Sequence, residues 1–319
     1  MDFFTHLVFG ALMYLLLLKE VTLDYLFLAI FFSILPDLDV FLTPLKKVIK
    51  SNYLEHRGGS HSYIVGIIIS FIISVVRSLI IQQPFFFVWI IGLSFYSLHV
   101  SMDLLTTTKI PYLFPLSKKE YSFYVEKAGS FFTFVNSIIF LILPLFIFRL
   151  FAEIFFIQLY INIYTSFFLI YYFYRILSKL LVSRTLDTNQ KYLPGLLPFY
   201  FKLYNYNIIG NEIASSIEKK SHFSKKTEEI KIKVTLSSQE KLFYDEAWKL
   251  NKKTYYFAKW TLFPTVIREE GIFTVRFFFL ETMMHTRNMY IQYNFDLDTQ
   301  TLINVEQGSG HIQIKNEPL

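Results

Sequence analysis

The chain of 319 residues contains no cysteine. Disulfides and thiolate zinc sites are therefore excluded, and any metal must be held by histidine and carboxylate. Charge is also scarce: 18% of the residues are charged against 53% hydrophobic and 19% aromatic, the composition of a membrane protein. The first apolar run lacks the marks of a signal peptide. It begins beside Asp2 instead of a basic segment and offers no small-residue cleavage site, so it is expected to be retained structure. No internal repeat is visible. The net charge of +6 would, in a soluble chain, raise nucleic acid as a partner. Here membrane topology accounts for the lysines and arginines, and no nucleic-acid partner is expected.

What is present is unevenly distributed. Apolar runs fall at about 3–18, 22–36, 63–82, 85–106, 131–151 and 154–177, whereas the charged residues concentrate after about residue 180. The last four runs are long enough to cross a bilayer, and the first two are short enough to form a tilted or thinned hairpin. If all six cross, the side holding both termini carries Lys46, Lys47, Lys50, Arg57, Lys109, Lys118, Lys119, Lys127, Lys179 and Arg184. The other side has little beyond Lys19, Arg77 and Arg149. The positive-inside rule makes the crowded side cytoplasmic. From Leu186 the pattern changes. Pro194, Gly195 and Pro198 break the chain, and two-residue alternation follows through Ile230 to Leu236, Phe273 to Phe279 and Met289 to Leu297, with an amphipathic helix over Gln239 to Leu250. The expected fold is an α-helical membrane domain of about six hydrophobic helices over 1–180, followed by a mainly antiparallel β (α+β) cytoplasmic domain over 186–319.

One stretch is chemically dense. His56-Arg57-Gly58-Gly59-Ser60-His61-Ser62 packs two imidazoles, a guanidinium and two hydroxyls against an apolar run, an expensive arrangement beside a membrane. The glycine pair can turn the chain so that both rings meet, and Ser60 or Ser62 can cap the following helix. A metal or an anion is the expected occupant.

Other polar groups lie where lipid-embedded helices would not choose them: His6 at the mouth of the first run, Asp37 and Asp39 in Pro36-Asp37-Leu38-Asp39 at the end of the second, and His99 with Asp103 near the end of the fourth. The residue before Pro36 is disfavoured in helix, so the second helix should end near Leu35, and an extended segment would point Asp37 and Asp39 the same way. His99 and Asp103, four apart, share a helical face. In the six-span topology His6, Asp37, Asp39, His56, His61, His99 and Asp103 all fall at the cytoplasmic end of their segments. One shared metal site is the reading they support. His222, His285 and His311 have no such spacing and are expected in surface or packing roles.

These residues carry a family resemblance. His6, then PD-x-D at 36–39, then HRG-x-[ST]-HS at 56–62, then H-x3-D at 99–103, then Pro115-Leu116-Ser117, resemble the YdjM-like family of membrane-bound metal-dependent hydrolases over about residues 1–120. That family is distantly similar to zinc-dependent phospholipase C and the P1-type nucleases, all-helical enzymes with clustered zinc ions. The resemblance implies that the seven residues are metal-binding and catalytic positions. The chain departs from it at Ser60, where threonine is common, and at Lys109, where a glycine often follows the H-x3-D helix.

The expected activity is hydrolysis of a phosphoester, from a lipid, a lipid-linked compound or a small molecule, at the cytoplasmic face of the cell membrane. Zinc is the expected ion, with manganese or magnesium as alternatives. Asp37 or Asp39 would bridge ions or take the nucleophile's proton, Asp103 would act with them, and Arg57 would clamp a phosphoryl oxygen with paired donors. The competing reading is a non-enzymatic metal-binding membrane protein, either a transporter or a scaffold for the β domain. It ranks lower because transporter ion sites lie near the midplane between repeated halves.

Overall fold

The computed structural model describes residues 1–17, 22–47, 56–150, 154–224, 227–253, 260–282 and 287–312; Lys19, Lys50 and His285 lie outside them. The chain divides into two compact units, Met1–Leu177 and Ser178–Leu319.

The first unit is helical. α1 (Phe3–Leu17) and α2 (Leu23–Ile34) form an antiparallel pair, and α2 runs into a 3-10 helix (Leu35–Lys47). α3 (Tyr63–Ile81) and α4 (Phe85–Leu104) form a second pair, followed by α5 (Phe131–Leu150) and α6 (Ile154–Ser183). Six helices form, but not six membrane-length ones, which corrects the expectation. Among the described residues three are long and apolar enough to cross a bilayer: Tyr63–Ile81, Phe85–Leu104 and Gln158–Ser183. The reason is geometric. At about 1.5 Å per residue, α1 and α2 reach only about 22 and 18 Å against a hydrocarbon core of about 30 Å. α5 spans 20 residues, about 30 Å at the same rise, with Pro144 inside it.

α2 stops where Pro36 requires, yet the segment beyond it is 3-10 helix instead of extended chain. Asp37 and Asp39 therefore do not point the same way, because two residues of a three-fold helix differ by about a third of a turn. The core between α1, α2 and α4 contains Tyr14, Ala29, Phe32, Val88, Phe95 and Val100. Helix approach is close enough to demand glycine at Gly92, where a Cβ would meet the Phe32 ring at 2.7 Å and the Ser70 Cβ at 2.9 Å. At the end away from the histidines, Arg77 of α3 donates to the Asp24 carboxylate at 2.7 and 2.9 Å and to Gln83 Oε1 at 2.7 Å, tying α3 to the first turn of α2.

The second unit is an antiparallel β region built from two four-stranded meanders. β1 (Gln190–Pro194), β2 (Tyr200–Ile209), β3 (Glu212–Ser221) and β4 (Glu228–Thr235) form one; β5 (Leu262–Glu269), β6 (Ile272–Phe279), β7 (Asn288–Asp296) and β8 (Leu302–Gly310) form the other. Between them α7 (Ser238–Lys253) begins with a capping box: the Glu240 amide donates to Ser237 Oγ at 3.2 Å and the Ser237 amide to Glu240 Oε2 at 2.7 Å. Phe243, Tyr244 and Ala247 of α7 share a core with Ile213, Phe273, Val275 and Phe277.

Candidate metal centre

The helix ends bring the ligand-type residues of the first unit together. α4 presents His99 and Asp103, the 3-10 helix presents Asp37 and Asp39, α1 presents His6, and the turns before α3 present His56 and His61. The His56–Ser62 segment turns, but its left-handed residue is Arg57, with φ of 63°, and not the expected glycine pair. That turn aims the Arg57 amide at Asp39 Oδ2, 3.0 Å away.

Four atoms converge. One ligand atom each from Asp37, His61, His99 and Asp103 lies within 4.8 Å of all the others. His61 Nε2 is 3.4 Å from Asp37 Oδ1, 3.2 Å from Asp103 Oδ2 and 3.3 Å from His99 Nε2. His99 Nε2 is 3.7 Å from Asp37 Oδ1 and 3.9 Å from Asp103 Oδ2. A tetrahedral ion bound at roughly 2.0–2.2 Å would set its ligands about 3.3–3.6 Å apart, so the spacing suits one ion.

Hydrogen bonding on the far edges fixes the imidazoles. His99 Nδ1 lies 2.6 Å from the Ser33 carbonyl oxygen, which only accepts, so Nδ1 carries the proton and Nε2 offers a lone pair. His61 Nδ1 faces Asp39 Oδ2 at 3.3 Å and Ser60 Oγ at 3.1 Å, which turns its lone pair to the centre in the same way. Asp37 Oδ1 and Asp103 Oδ2 are buried, and neither has a hydrogen-bond partner. Two lone pairs and two buried carboxylate oxygens facing one another repel unless a cation lies between them.

The remaining candidates surround this set. Asp39 serves the outer edges of two rings, with Oδ1 2.7 Å from His56 Nδ1 and Oδ2 on His61, Arg57 and Ser60. Such a carboxylate behind a ligating histidine fixes its tautomer and orientation. His6 Nε2 lies 3.3 Å from Asp103 Oδ1, and its ring stacks on His99 with centroids 3.7 Å apart. His56 sits at the rim, its side chain 41% exposed. Arg57 turns inward: Nη2 donates to the Met1 carbonyl at 2.7 Å, and Nε is 3.6 Å from Asp103 Oδ2. Burial pushes the Asp37 and Asp39 carboxyls upward, but the neighbouring imidazoles, those of His61, His99 and His6 at Asp37 and those of His56 and His61 at Asp39, outweigh it. Both are held well below the usual carboxylate range.

The helix N-terminus expected to bind an anion is already used. Ser62 Oγ accepts from the Ile64 amide at 3.2 Å and donates to the Phe114 carbonyl, while the Tyr63 amide donates to the Tyr112 carbonyl at 3.0 Å. Ser62 is thus the cap and also holds the 111–117 loop. Of the histidines outside this group, His222 Nε2 lies 2.6 Å from Ser178 Oγ, and His311 is exposed.

Sequence reasoning missed several contributors. The Ser33 carbonyl carries no side-chain signal. Glu126 and Arg175 do: an arginine inside the apolar run 154–177 calls for an acidic partner, and the 107–130 loop offers two, Glu120 and Glu126. Among known proteins, the family model described as YdjM inner membrane protein matches residues 1–182. No curated protein and no solved structure matches the chain.

Proposed function

The chain belongs to the YdjM inner membrane protein family, and from that footing we propose that it is a multi-pass, membrane-bound, metal-dependent hydrolase that cleaves a phosphoester at the cytoplasmic bilayer face. The observation that carries this reading is the pair of buried oxygens without a hydrogen-bond donor, Asp37 Oδ1 and Asp103 Oδ2, facing the lone-pair nitrogens of His61 and His99. Two imidazoles and two carboxylates without a thiolate suit zinc, with manganese or magnesium as hard-ligand alternatives. The chemistry such an ion supplies is polarisation of a phosphoryl oxygen and activation of water near neutral pH.

The chain's own residues supply the rest. Asp37, His61, His99 and Asp103 hold the ion, and Asp39 orients His61 and His56 from behind. His56, bound to Asp39 through Nδ1 and exposed at the rim, holds or passes a proton at Nε2. Arg57 offsets the Asp103 charge, and in exchange for the Met1 carbonyl its Nη2 can take a phosphoryl oxygen. A lipid or lipid-linked substrate is favoured by the apolar side chains around the site: Phe41, on the 3-10 helix two residues from Asp39, is 75% exposed, and Leu116, in the turn two residues from the Phe114 carbonyl that Ser62 holds, is 84% exposed. Exposed side chains of this size are at home in the headgroup and acyl boundary.

The test is a comparison of wild-type protein with His61→Ala/His99→Ala, purified in detergent, for zinc content and for turnover of a phospholipid and of a generic phosphodiester. Ion and turnover in the wild type alone are expected. An ion-free wild type, or equal turnover in both proteins, rejects the reading.

A further inference from the structure

A second buried ionic group lies in the helical unit, outside the four converging atoms. Glu126, in the loop between α4 and α5, and Arg175, on α6, are both fully buried. Arg175 Nη2 donates to Glu126 Oε1 at 3.0 Å, and Arg175 Nε lies 3.0 Å from Glu126 Oε2. The Tyr171 hydroxyl, one turn earlier on α6, also donates to Oε2, and the Lys127 amide donates to Oε1 at 2.8 Å. A carboxylate with this many donors, facing the paired nitrogens of a guanidinium on an apolar helix, is held in one place.

What it holds is the end of α4. The Val125 and Glu126 amides donate to the Leu105 carbonyl at 2.9 Å, and the Phe123 amide to the Leu104 carbonyl at 2.7 Å. Thr106 forms a β-bridge with Glu126 and returns to Asp103, its amide and hydroxyl donating to the Asp103 carbonyl at 3.0 and 2.8 Å. A path therefore runs by hydrogen bonds from Arg175 through Glu126 to the Leu105 carbonyl, and from the adjoining Thr106 to the backbone of Asp103, the residue whose Oδ2 faces His61.

We propose that Glu126 and Arg175 are positioning residues for the metal centre: α6, by gripping Glu126, clamps the 122–126 segment onto the last turn of α4 and so sets where Asp103 and His99 stand. This rests on the metal-centre reading above. An ion pair buried this completely is costly as a mere strut, since apolar side chains of similar volume would hold the helices equally well. Its geometric specificity is what a ligand set with a few tenths of an ångström of tolerance requires.

The experiment measures zinc affinity by chelator competition, and the visible absorption of bound cobalt, which reports ligand geometry, on the full chain in detergent. The variants are Glu126→Leu/Arg175→Met, which removes both charges together, and Arg175→Lys, which keeps the charge and loses the fork. The double variant is expected to unfold at the wild-type temperature but to bind zinc about 10- to 100-fold more weakly, with a shifted cobalt absorption, the scale for losing support behind a ligand. Arg175→Lys is expected to fall between it and the wild type, and it decides the matter alone if the double variant does not fold. Wild-type affinity with an unshifted cobalt absorption in the folded variants overturns the positioning role. A wild-type protein that binds no more ion than His61→Ala/His99→Ala overturns the centre itself, and the positioning role with it.

Discussion

His61 Nε2 and His99 Nε2 face each other at 3.3 Å, each ring turned so that its Nδ1 is already engaged, with Asp39 and Ser60 behind the first and the Ser33 carbonyl behind the second. Two lone pairs at that distance define where a cation belongs. His61→Ala and His99→Ala should each abolish stoichiometric zinc, since no cysteine is present to compensate. His222→Ala and His311→Ala should leave it unchanged, as elemental analysis of the purified variants will show. Retained zinc in His61→Ala would place the ion elsewhere.

Asp39 lies against the Nδ1 edges of His61 and His56. Asp39→Asn keeps the side-chain shape and removes the charge that orients His61 and His56, so zinc should bind about 10- to 100-fold more weakly without being lost at saturation. Competition with a chromophoric chelator measures this directly. An unchanged dissociation constant would mean that Asp39 does not orient the ring.

Arg57 separates ion holding from turnover. Its guanidinium stays protonated and offers donors only, so it is no ligand. Arg57→Lys keeps the charge but loses the planar fork, and phosphoester turnover should fall by roughly tenfold to a thousandfold with zinc content unchanged. Metal and activity lost together would show that the contacts to Asp103 and the Met1 carbonyl are its main business.

Orientation is open to reporter fusions. Fusions after Phe41, Lys118 and Leu186 should all read as cytoplasmic, because the basic loops share that side. A fusion after Gln83, in the turn between α3 and α4, should read as external. A cytoplasmic reading at Gln83 would reject the α3–α4 hairpin as a membrane-crossing pair.

Much of the site was legible because ligand chemistry is local. The spacing of His99 and Asp103 on one helix, and the density of polar groups at 56–62, are visible without a fold. Which four of the seven face one another was not legible. The 3-10 helix after Pro36 sends Asp37 to the Nε2 edge of His61 and Asp39 to its Nδ1 edge, whereas an extended segment would have put both on one side. In the β region the sequence signalled β4, β6 and β7, whose apolar residues alternate. It hid β3, where Ser215 is buried between Ile213 and Ile217 and interrupts the apolar period, and β5, where four successive residues from Leu262 are buried around Pro264.

By itself, then, the sequence determined what depends on composition and short spacing: an apolar helical half and an alternating β half, a cysteine-free choice of histidines and aspartates, and a polar turn beside an apolar run. Tertiary structure decided what depends on residues far apart in the chain. The carbonyl of Ser33, 66 residues from His99, chose the tautomer of that ring. Arg175, 49 residues from Glu126, was brought to a carboxylate in the loop that grips α4. No local pattern encodes such pairings, because each is settled by how helices pack, and packing is a property of the whole chain.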